Sequence, residues 1–421
     1  MIQTFELLPG VILRCFRDDR FKQGCLSLQL VRPMAREEAA VNALLPAVLL
    51  RGTRKYPDLR SITLRLDDLY GASVSALVRR VGDYQTTGLY CAFMEDRFAL
   101  EGDRILEPMV DFLRQLLLEP VTEDGGFSRE YVESEKKNLI STIESELNDK
   151  RAYAAGQLLR TMCKADSFGV PRLGDKEQVA AIDHRSAYAH YQKILCESPV
   201  ALFYVGSGEP EQVAKLLKPL FAGINRNYKE LPAQTPFRDG GEEHKEEQME
   251  VTQGKLCMGF VTPITNRCGE FAAMQVLNTL FGAGMTSKLF MNVREKMSLC
   301  YSIGSGYYGS KGIVTVSAGI DSDKETIARE EILRQLEDCC RGNITANELR
   351  SAKEAILSGL RGVHDSPGAI ENYHGTTCIS GFPLTLEQYR QAVEQVEIEQ
   401  AAAAARTLKY HSSFFLRGVT A

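Results

Sequence analysis

The sequence predicts an α+β fold made of two similar domains, each a sandwich of one sheet and its helices. Three observations predict it. The chain has 421 residues, and a single hydrophobic core stops growing at roughly 250–300 residues, so two domains are expected. Strand-like segments precede groups of helical segments in each half, and one segment of the first half is similar to one of the second.

The internal similarity joins a segment that begins at Leu26 to one that begins at Leu256, at a constant offset of 230 residues without a gap. In both copies a strand-like run ends at Val-x-Pro, and an alanine- and leucine-rich helical stretch follows. The identical pairs are Leu26/Leu256, Val31/Val261, Pro33/Pro263, Ala43/Ala273, Leu50/Leu280 and Gly52/Gly282. Duplication explains this pattern better than chance similarity between two β-α units.

The predicted elements follow the same order in both halves: a strand, two helices, further strands and then several helices. In the first half, residues 98–120 and 130–162 have the apolar spacing of helices, and 201–208 has the composition of a buried strand. The second half closes with helices and a strand, predicted around 323–341, 345–362, 386–408 and from Ser413 onward.

Residues 223–250 form a predicted linker between the halves. They are polar and charged, contain two prolines and the adjacent Gly240 and Gly241, and lack apolar periodicity. The predicted domains are therefore an N-terminal domain over residues 1–222 and a C-terminal domain over residues 251–421.

Charge and composition exclude several classes of protein. The chain has 50 basic and 55 acidic residues, whereas a nucleic-acid-binding chain carries a strong basic excess. No window reaches the roughly 18 apolar residues of a membrane span, and Pro9 interrupts the apolar stretch where a secretory signal would be continuous. Eleven cysteines without a C-x-x-C pair or an export signal predict a reducing, cytoplasmic compartment.

The motifs of a self-contained hydrolase are missing from the sequence. Its six histidines form neither H-E-x-x-H nor H-x-x-E-H, the patterns that place two histidines on one helical face around a carboxylate. There is also no G-x-S-x-G. We therefore expect no metal and no other cofactor. Glycine-rich stretches at Gly282 and Gly304 depart from the dinucleotide and Walker patterns, and we interpret them as turns and close backbone contacts.

A family resemblance lies in residues 281–308, FGAGMTSKLFMNVREKMSLCYSIGSGYY. This stretch resembles the C-terminal signature of the insulinase/pitrilysin family of zinc metallopeptidases, and the bacterial YfmF-like subunits most of all. Val293 and Ser298 stand where the family usually has Leu and Gly. The matching residues are Gly282, Gly284, Ser287, Leu289, Phe290, Arg294, Glu295, Lys296, Leu299, Tyr301 and Ser302. The first half resembles the family around Gly52-Thr53, so the resemblance covers nearly the whole chain.

The same resemblance locates the missing zinc motif. In the family, H-x-x-E-H ends five residues before a Gly-Thr pair, which here is Gly52-Thr53. The motif therefore falls on residues 43–47, with Ala43 and Ala47 in place of the histidines and Pro46 in place of the general-base Glu. The third ligand falls near Ser141-Thr142, with Glu135 one to two turns earlier. No metal ligand remains, and zinc catalysis needs three.

The resemblance implies a function as well as a fold. It implies a clamshell of two domains, with Arg294 and Tyr301 as substrate-binding residues that hold the backbone carbonyl of a peptide. Some bacterial members divide the labour between a zinc-bearing chain and a partner with the Arg/Tyr pair. We therefore expect a non-catalytic, substrate-binding subunit of a heterodimeric zinc peptidase, inactive alone and paired with a zinc-bearing paralogue.

Two other functions stay open on the sequence. The first is a non-enzymatic scaffold or peptide-binding protein, like the core subunits of the cytochrome bc1 complex. YfmF-like proteins are also linked by name to modification of elongation factor P, which these residues neither support nor exclude. The second is an autonomous peptidase that uses Cys300 as its nucleophile, which the lack of a histidine in the same signature disfavours.

Overall fold

The computed structural model describes residues 2–418, so residue 1 and residues 419–421 of the predicted domains lie outside it. The chain forms two compact units. Unit 1 comprises Met1–Glu144, Val170–Ala233 and Val363–Ile379. Unit 2 comprises Ser145–Gly169, Gln234–Gly362 and Ser380–Ala421. The units therefore differ from the predicted contiguous division, because 145–169 and 363–379 each join the unit that is more distant in sequence.

The strands and helices are numbered in chain order. The strands are β1 (Ile2–Leu8), β2 (Val11–Arg17), β3 (Gln23–Pro33), β4 (Ser73–Val81), β5 (Tyr84–Met94), β6 (Thr122–Glu123), β7 (Gly126–Phe127), β8 (Val200–Gly206), β9 (His244–Met249), β10 (Gly254–Val261), β11 (Cys300–Tyr308), β12 (Ile313–Ile320) and β13 (Lys409–Gly418). The helices are α1 (Arg36–Leu49), α2 (Leu59–Asp68), α3 (Leu106–Leu118), α4 (Arg129–Ser145), α5 (Lys150–Met162), α6 (Lys176–Ala181), α7 (His184–Glu197), α8 (Pro210–Leu217), α9 (Phe271–Asn278), α10 (Glu325–Cys340), α11 (Ala346–Gly362), α12 (Pro367–Ser380), α13 (Leu386–Gln395) and α14 (Ile398–Arg406). Thr279–Ala283 and Leu289–Lys296 are π-helical.

The large sheets of the two units share the order of five strands, and the sheet of unit 1 has one more strand, β1, at its edge. Unit 1 has the order β1-β2-β8-β3-β5-β4, and unit 2 has β11-β12-β10-β13-β9. In unit 1 the pair β2–β8 is parallel, and in unit 2 the pair β9–β13 is parallel. The other pairs in both sheets are antiparallel. Sheets combined with helices in this way confirm the predicted α+β class.

Unit 1 is organised around its central strand β3, which is buried along most of its length. Leu26 and Leu28 pack into the main hydrophobic core with residues of α1, α3 and α7. Ser27 and Gln29 instead donate to Glu371 of α12, at 2.7 and 3.3 Å. Arg79 of β4 pairs with the same carboxylate at 2.7 Å, and the Glu371 side chain is fully buried. Helix α12 is thus tied to this sheet by a satisfied buried charge.

Unit 2 holds α5 against its sheet. Ala154 and Leu158 of α5 form a buried cluster with Cys257 of β10 and with Phe414 and Leu416 of β13. Just beyond the helix, Asp166 pairs with Lys311 at 2.9 Å, and both side chains are almost completely excluded from solvent. A buried ion pair favours one arrangement of the two segments it joins, because separating the partners would leave an unpaired charge inside the protein.

Several predicted elements have different bounds in the structure. The single helix predicted over 130–162 is wrong: α4 ends at Ser145 and α5 begins at Lys150. The physical reason is Asp149, whose carboxylate accepts the backbone N–H groups of Arg151 and Ala152 at 3.0 Å each and so starts a new helix. Residues 244–249 of the predicted linker form β9. The helix predicted over 386–408 is likewise two helices, α13 and α14.

Two features bear on the expected compartment and membrane relation. All eleven cysteines are free thiols, and most of them are buried. Within residues 2–418, no helix combines the length and the apolar character that crossing a bilayer requires.

Pro46 lies inside α1 and is compensated there. Proline has no N–H, so the carbonyl of Asn42, four residues earlier, loses its helical donor. The hydroxyl of Thr87 on β5 donates to that carbonyl at 2.6 Å, in a fully buried position. The neighbouring hydroxyl of Thr86 is also buried but has no hydrogen-bond partner among the described residues. One side chain of the sheet, that of Thr87, therefore satisfies the carbonyl that Pro46 leaves without a helical donor.

Replacing Thr87 by Val is expected to lower the free energy of unfolding by about 1–3 kcal/mol, because the Asn42 carbonyl stays buried and unpaired. In a Pro46→Ala background the helix supplies its own donor, so the same change should cost much less. Urea unfolding of the four variants measures this coupling. Thr86→Val is the matched control and should be neutral or slightly stabilising. Equal cost of Thr87→Val in both backgrounds would contradict the compensation.

His374 of α12 lies in an aromatic cluster of unit 1. Its ring stacks on Phe203 with centroids 6.4 Å apart and on Phe16 at 5.9 Å, and it lies 6.2 Å from His364. Burial, with a smaller contribution from the charge of His364, lowers the pKa of His374 to about 4. The neutral imidazole is therefore the form that the folded chain holds.

Stability is expected to fall as the pH is lowered from about 6.5, the usual histidine pKa in the unfolded chain, toward about 4. Above that range the contribution of His374 is complete, because both states hold a neutral ring. A His374→Phe variant removes the titration and should lose about 2 kcal/mol less than the parent chain between pH 7 and pH 5. Urea midpoints at the two pH values test this. The same loss in both chains would refute the assignment.

Candidate functional site

The positions of the missing zinc motif lie on the inward side of α1. Ala43 and Pro46 are buried and Ala47 is half-buried. Their side chains contain only carbon and hydrogen, so none can bind a metal ion. Pro46 also cannot act as a general base.

The position of the third zinc ligand, on α4, is occupied by groups with other partners. Glu135 pairs with Arg51 at 3.2 Å and accepts from the amide of Asn138 at 3.1 Å. The Thr142 hydroxyl donates to the backbone carbonyl of Asn138, and Ser141 is exposed. Over residues 2–418, no group of three or more His, Cys, Asp or Glu side chains is placed to hold a metal ion. The residues present do not fit zinc.

The histidines of the chain make structural contacts. His190 Nε2 lies 2.8 Å from the amide oxygen of Asn42, and His411 Nε2 lies 2.9 Å from a carboxylate oxygen of Asp239. These agree with the interpretation that the histidines serve packing and hydrogen bonding.

Arg294 lies near the end of the π-helical segment Leu289–Lys296. Its guanidinium stacks over the ring of Phe290, 4.5 Å from the centroid, and is 3.4 Å from the carboxylate of Glu295. The side chain is 38% exposed. Because a guanidinium has five N–H donors in a fixed plane, this arrangement leaves donors directed to solvent.

Tyr301 lies at an irregularity in the edge strand β11. Cys300 pairs with Ile320 and Ser302 with Gly319, so Tyr301 is the extra residue of a β-bulge. A bulge turns its extra side chain away from the regular alternation, and Tyr301 is 57% exposed. Its hydroxyl donates to Asp321 at 3.1 Å. Lys324 is the main cause of the lowered pKa of Asp321, and Tyr301 contributes to it.

The turn between Arg294 and Tyr301 explains one departure from the family signature. Ser298 has a φ of +50°, in the left-handed region that glycine adopts without strain. The family usually has Gly at this position. Ser298 therefore keeps the turn at a cost of about 1 kcal/mol. The other departure, Val293, is fully buried.

Cys300 has the wrong environment for a nucleophile. Its side chain is buried, and burial raises the pKa of its thiol to about 11, although Arg294 lowers it in part. The thiolate is the reactive form of cysteine, so this thiol is unreactive at neutral pH. The autonomous-peptidase alternative therefore has no support at this residue.

The glycine-rich stretches serve close contacts, as predicted. A Cβ on Gly282 would lie 2.7 Å from the Ser305 hydroxyl and 2.8 Å from Leu289. Gly312, in the turn after β11, has a φ of +67°, and a Cβ there would lie 2.2 Å from the Thr262 carbonyl. Both positions require glycine for steric reasons.

One side chain beside β11 was not predicted from the sequence. Arg151, in the first turn of α5, places its Nη2 atom 3.7 Å from the position of a Cβ on Gly304. Local helical periodicity does not distinguish this arginine from its neighbours. Only the packing of α5 on the sheet of unit 2 brings it to the middle of the edge strand.

Comparison with known proteins shows which proteins the chain is similar to. Residues 181–356 match the family described as "Peptidase M16 inactive domain". A Bacillus subtilis protein named "Probable inactive metalloprotease YmfF" is 27% identical over 411 residues, covering 97% of this chain and 96% of that protein. The similar protein is thus named YmfF, whereas the signature led us to expect a YfmF-like subunit. The subtype expected from the signature is thus supported over almost the full length.

Solved structures agree with this match. A crystal structure of a conserved protein from Enterococcus faecalis has a TM-score of 0.93 at 27% identity, covering 100% of this chain and 99% of that one. The structure of a peptidase M16 inactive domain from Pseudomonas fluorescens has a TM-score of 0.82 at 15% identity, covering 100% and 99%, and shows the shared fold. Residues 181–356 thus match the M16 inactive domain, and over almost its full length the chain is similar to a probable inactive metalloprotease.

Proposed function

We propose that the chain is the non-hydrolysing, peptide-binding subunit of a two-chain zinc peptidase. The proposal rests on one contrast: the positions of the zinc motif have lost their functional side chains, whereas the Arg/Tyr positions of the signature have kept theirs. Ala43, Pro46 and Ala47 hold no metal-binding atom, whereas Arg294 and Tyr301 are kept and are partly exposed. A chain that had lost all function would have no physical reason to keep a strained turn and a bulge around this pair.

Arg294 and Tyr301 offer suitable chemistry for holding a peptide. A guanidinium and a phenol are permanent hydrogen-bond donors near neutral pH. Together they can hold a backbone carbonyl and stabilise the negative charge that develops on its oxygen during hydrolysis. The stacking of Arg294 on Phe290 limits its rotamers, which lowers the entropy lost on binding. The attacking water and the zinc ion must then come from a second chain.

The partner in this proposal is a zinc-bearing insulinase-type paralogue, and the ligand is a peptide. The eleven free cysteines support a reducing, cytoplasmic location for the pair. The common strand order of the two sheets supports an origin by duplication, and such an origin accounts for the constant offset in the sequence.

Arg294→Ala together with Tyr301→Phe is expected to lower the kcat/KM of the reconstituted two-chain complex by about 100-fold, as when oxyanion donors are removed. The measurement uses a fluorogenic peptide and the zinc-bearing partner. The matched control is Arg390→Ala, because Arg390 also has a side chain that is 38% exposed but lies on α13.

An unchanged kcat/KM in the double variant would rule out the substrate-holding role. Failure of every paralogue to gain activity in the presence of this chain would favour the scaffold alternative. A loss in the Arg390→Ala control as large as in the double variant would point to a general charge effect.

The isolated chain is expected to bind far less than one zinc ion per molecule and to hydrolyse no peptide, because the motif positions on α1 have no donor atoms. Elemental analysis after dialysis against zinc measures the first, and a fluorogenic peptide mixture measures the second. The zinc-bearing partner, treated in the same way, is the positive control. Stoichiometric zinc in the isolated chain would overturn the proposed division of labour.

A further inference from the structure

A groove runs along the outer edge of the sheet in unit 2. Its volume is about 650 Å³. The first turn of α5, with Asp149 and Arg151, lines one side, and residues 282–285 line the other. Between them lies the middle of β11, residues 303–306. All of these residues belong to unit 2.

Because β11 is an edge strand, one side of the groove presents backbone groups that can form hydrogen bonds. β11 is the last strand in its sheet, and among residues 2–418 it pairs with β12 alone. An edge strand presents N–H and C=O groups along its free side, and an extended peptide can pair with them. The strand is rich in small residues here, since Gly304 and Gly306 face the same side as the α5 contacts. Their missing side chains leave space beside the backbone.

Two positive charges lie near each other here: Arg151 lines the groove, and Lys255 lies beside it on β10. Arg151 reaches over Gly304, and Lys255 reaches over Gly319, where a Cβ would lie 3.4 Å from its Nζ atom. The register places these glycines near each other, because Gly304 pairs with Ser317, two residues before Gly319. Burial lowers the pKa of Lys255, and the charge of Arg151 lowers it further.

The two cations have no carboxylate of their own within residues 2–418. Lys255 donates to the neutral amide of Gln253 at 3.2 Å. The nearby Asp149 carboxylate is occupied by the backbone N–H groups that begin α5. The charge of Asp149 acts against the repulsion at Lys255, whose pKa is nevertheless lowered, so a bound anion would add a favourable interaction with both cations.

We propose that this groove binds an extended peptide segment along β11 and that Arg151 and Lys255 hold an acidic side chain of that peptide. The proposal rests on the peptide-binding function above and adds the class of peptide. An acidic side chain is favoured over a chain end because Arg151 lies over Gly304, the middle of the strand. A peptide that continues along the groove in both directions presents a side chain there. Met285, 77% exposed, provides an adaptable apolar contact for a neighbouring residue.

The test uses end-blocked nine-residue peptides of alternating threonine and valine, with either glutamate or glutamine at the centre. Titration calorimetry with the full chain measures the two dissociation constants. The glutamate peptide is expected to bind at least about ten-fold more tightly. Arg151→Met should abolish that preference without lowering the thermal unfolding midpoint, because Arg151 makes no ion pair in the described structure and its charge repels that of Lys255. Lys150→Met, which removes the adjacent charge outside the groove, is the matched control and should keep the preference.

A charge reversal makes the test sharper. Arg151→Glu should turn the preference toward a peptide with lysine at its centre. Equal binding of the glutamate and glutamine peptides, or binding of neither, overturns the proposal. A central-glutamine peptide with a free carboxyl terminus that binds as tightly as the glutamate peptide overturns the choice of a side chain.

These outcomes are separate from those of the proposed function. The glutamate preference is measured without a zinc-bearing partner, whereas the role of Arg294 and Tyr301 is measured as kcat/KM of the complex. Loss of the first with retention of the second removes only the acidic-peptide assignment. Retention of the first with loss of the second leaves a peptide-binding chain that is no peptidase subunit.

Discussion

The buried carboxylate of Glu371 determines which segments make up unit 1. A carboxylate without contact to water is costly unless it is paired and hydrogen-bonded, and Arg79, Ser27 and Gln29 together satisfy this one. Because its partners lie on β3 and β4, helix α12 has one favourable place, although more than 280 residues separate it from those strands. In unit 2, the buried ion pair between Asp166 and Lys311 likewise holds the segment after α5 against the turn between β11 and β12.

This assignment of segments has consequences for the candidate sites. The break between α4 and α5, capped by Asp149, is the point at which the chain passes from unit 1 to unit 2. Since α5 then packs on β10 and β13, its first turn extends past the covered part of the sheet toward the edge strand β11. The groove and its two cations follow from this packing. A fold in which α4 and α5 formed one continuous helix would have neither.

The helix at the zinc-motif positions depends on a contact with the sheet. Pro46 at the position of the general base removes a helical hydrogen bond, and Thr87 restores a donor to the Asn42 carbonyl. At the other set of positions, the left-handed Ser298 and the bulge at Tyr301 are local strains that persist around Arg294 and Tyr301. Strain held by its surroundings is common at binding sites. The two sets of family positions thus differ: the first is buried and internally hydrogen-bonded, and the second is partly exposed.

The sequence by itself determined the α+β class, the resemblance to inactive M16 homologues and the side chains at the positions of the zinc motif. These depend on local patterns and on donor atoms that Ala43, Pro46 and Ala47 do not possess. It also identified Arg294 and Tyr301 through a signature of short spacing. Only the tertiary structure decided which unit contains α5 and which contains α12. It also decided the position of the bulge in β11 and the contact between Arg151 and Gly304. The periodicity of a helix is the same whichever sheet it covers, and strand register depends on pairing between residues distant in the chain.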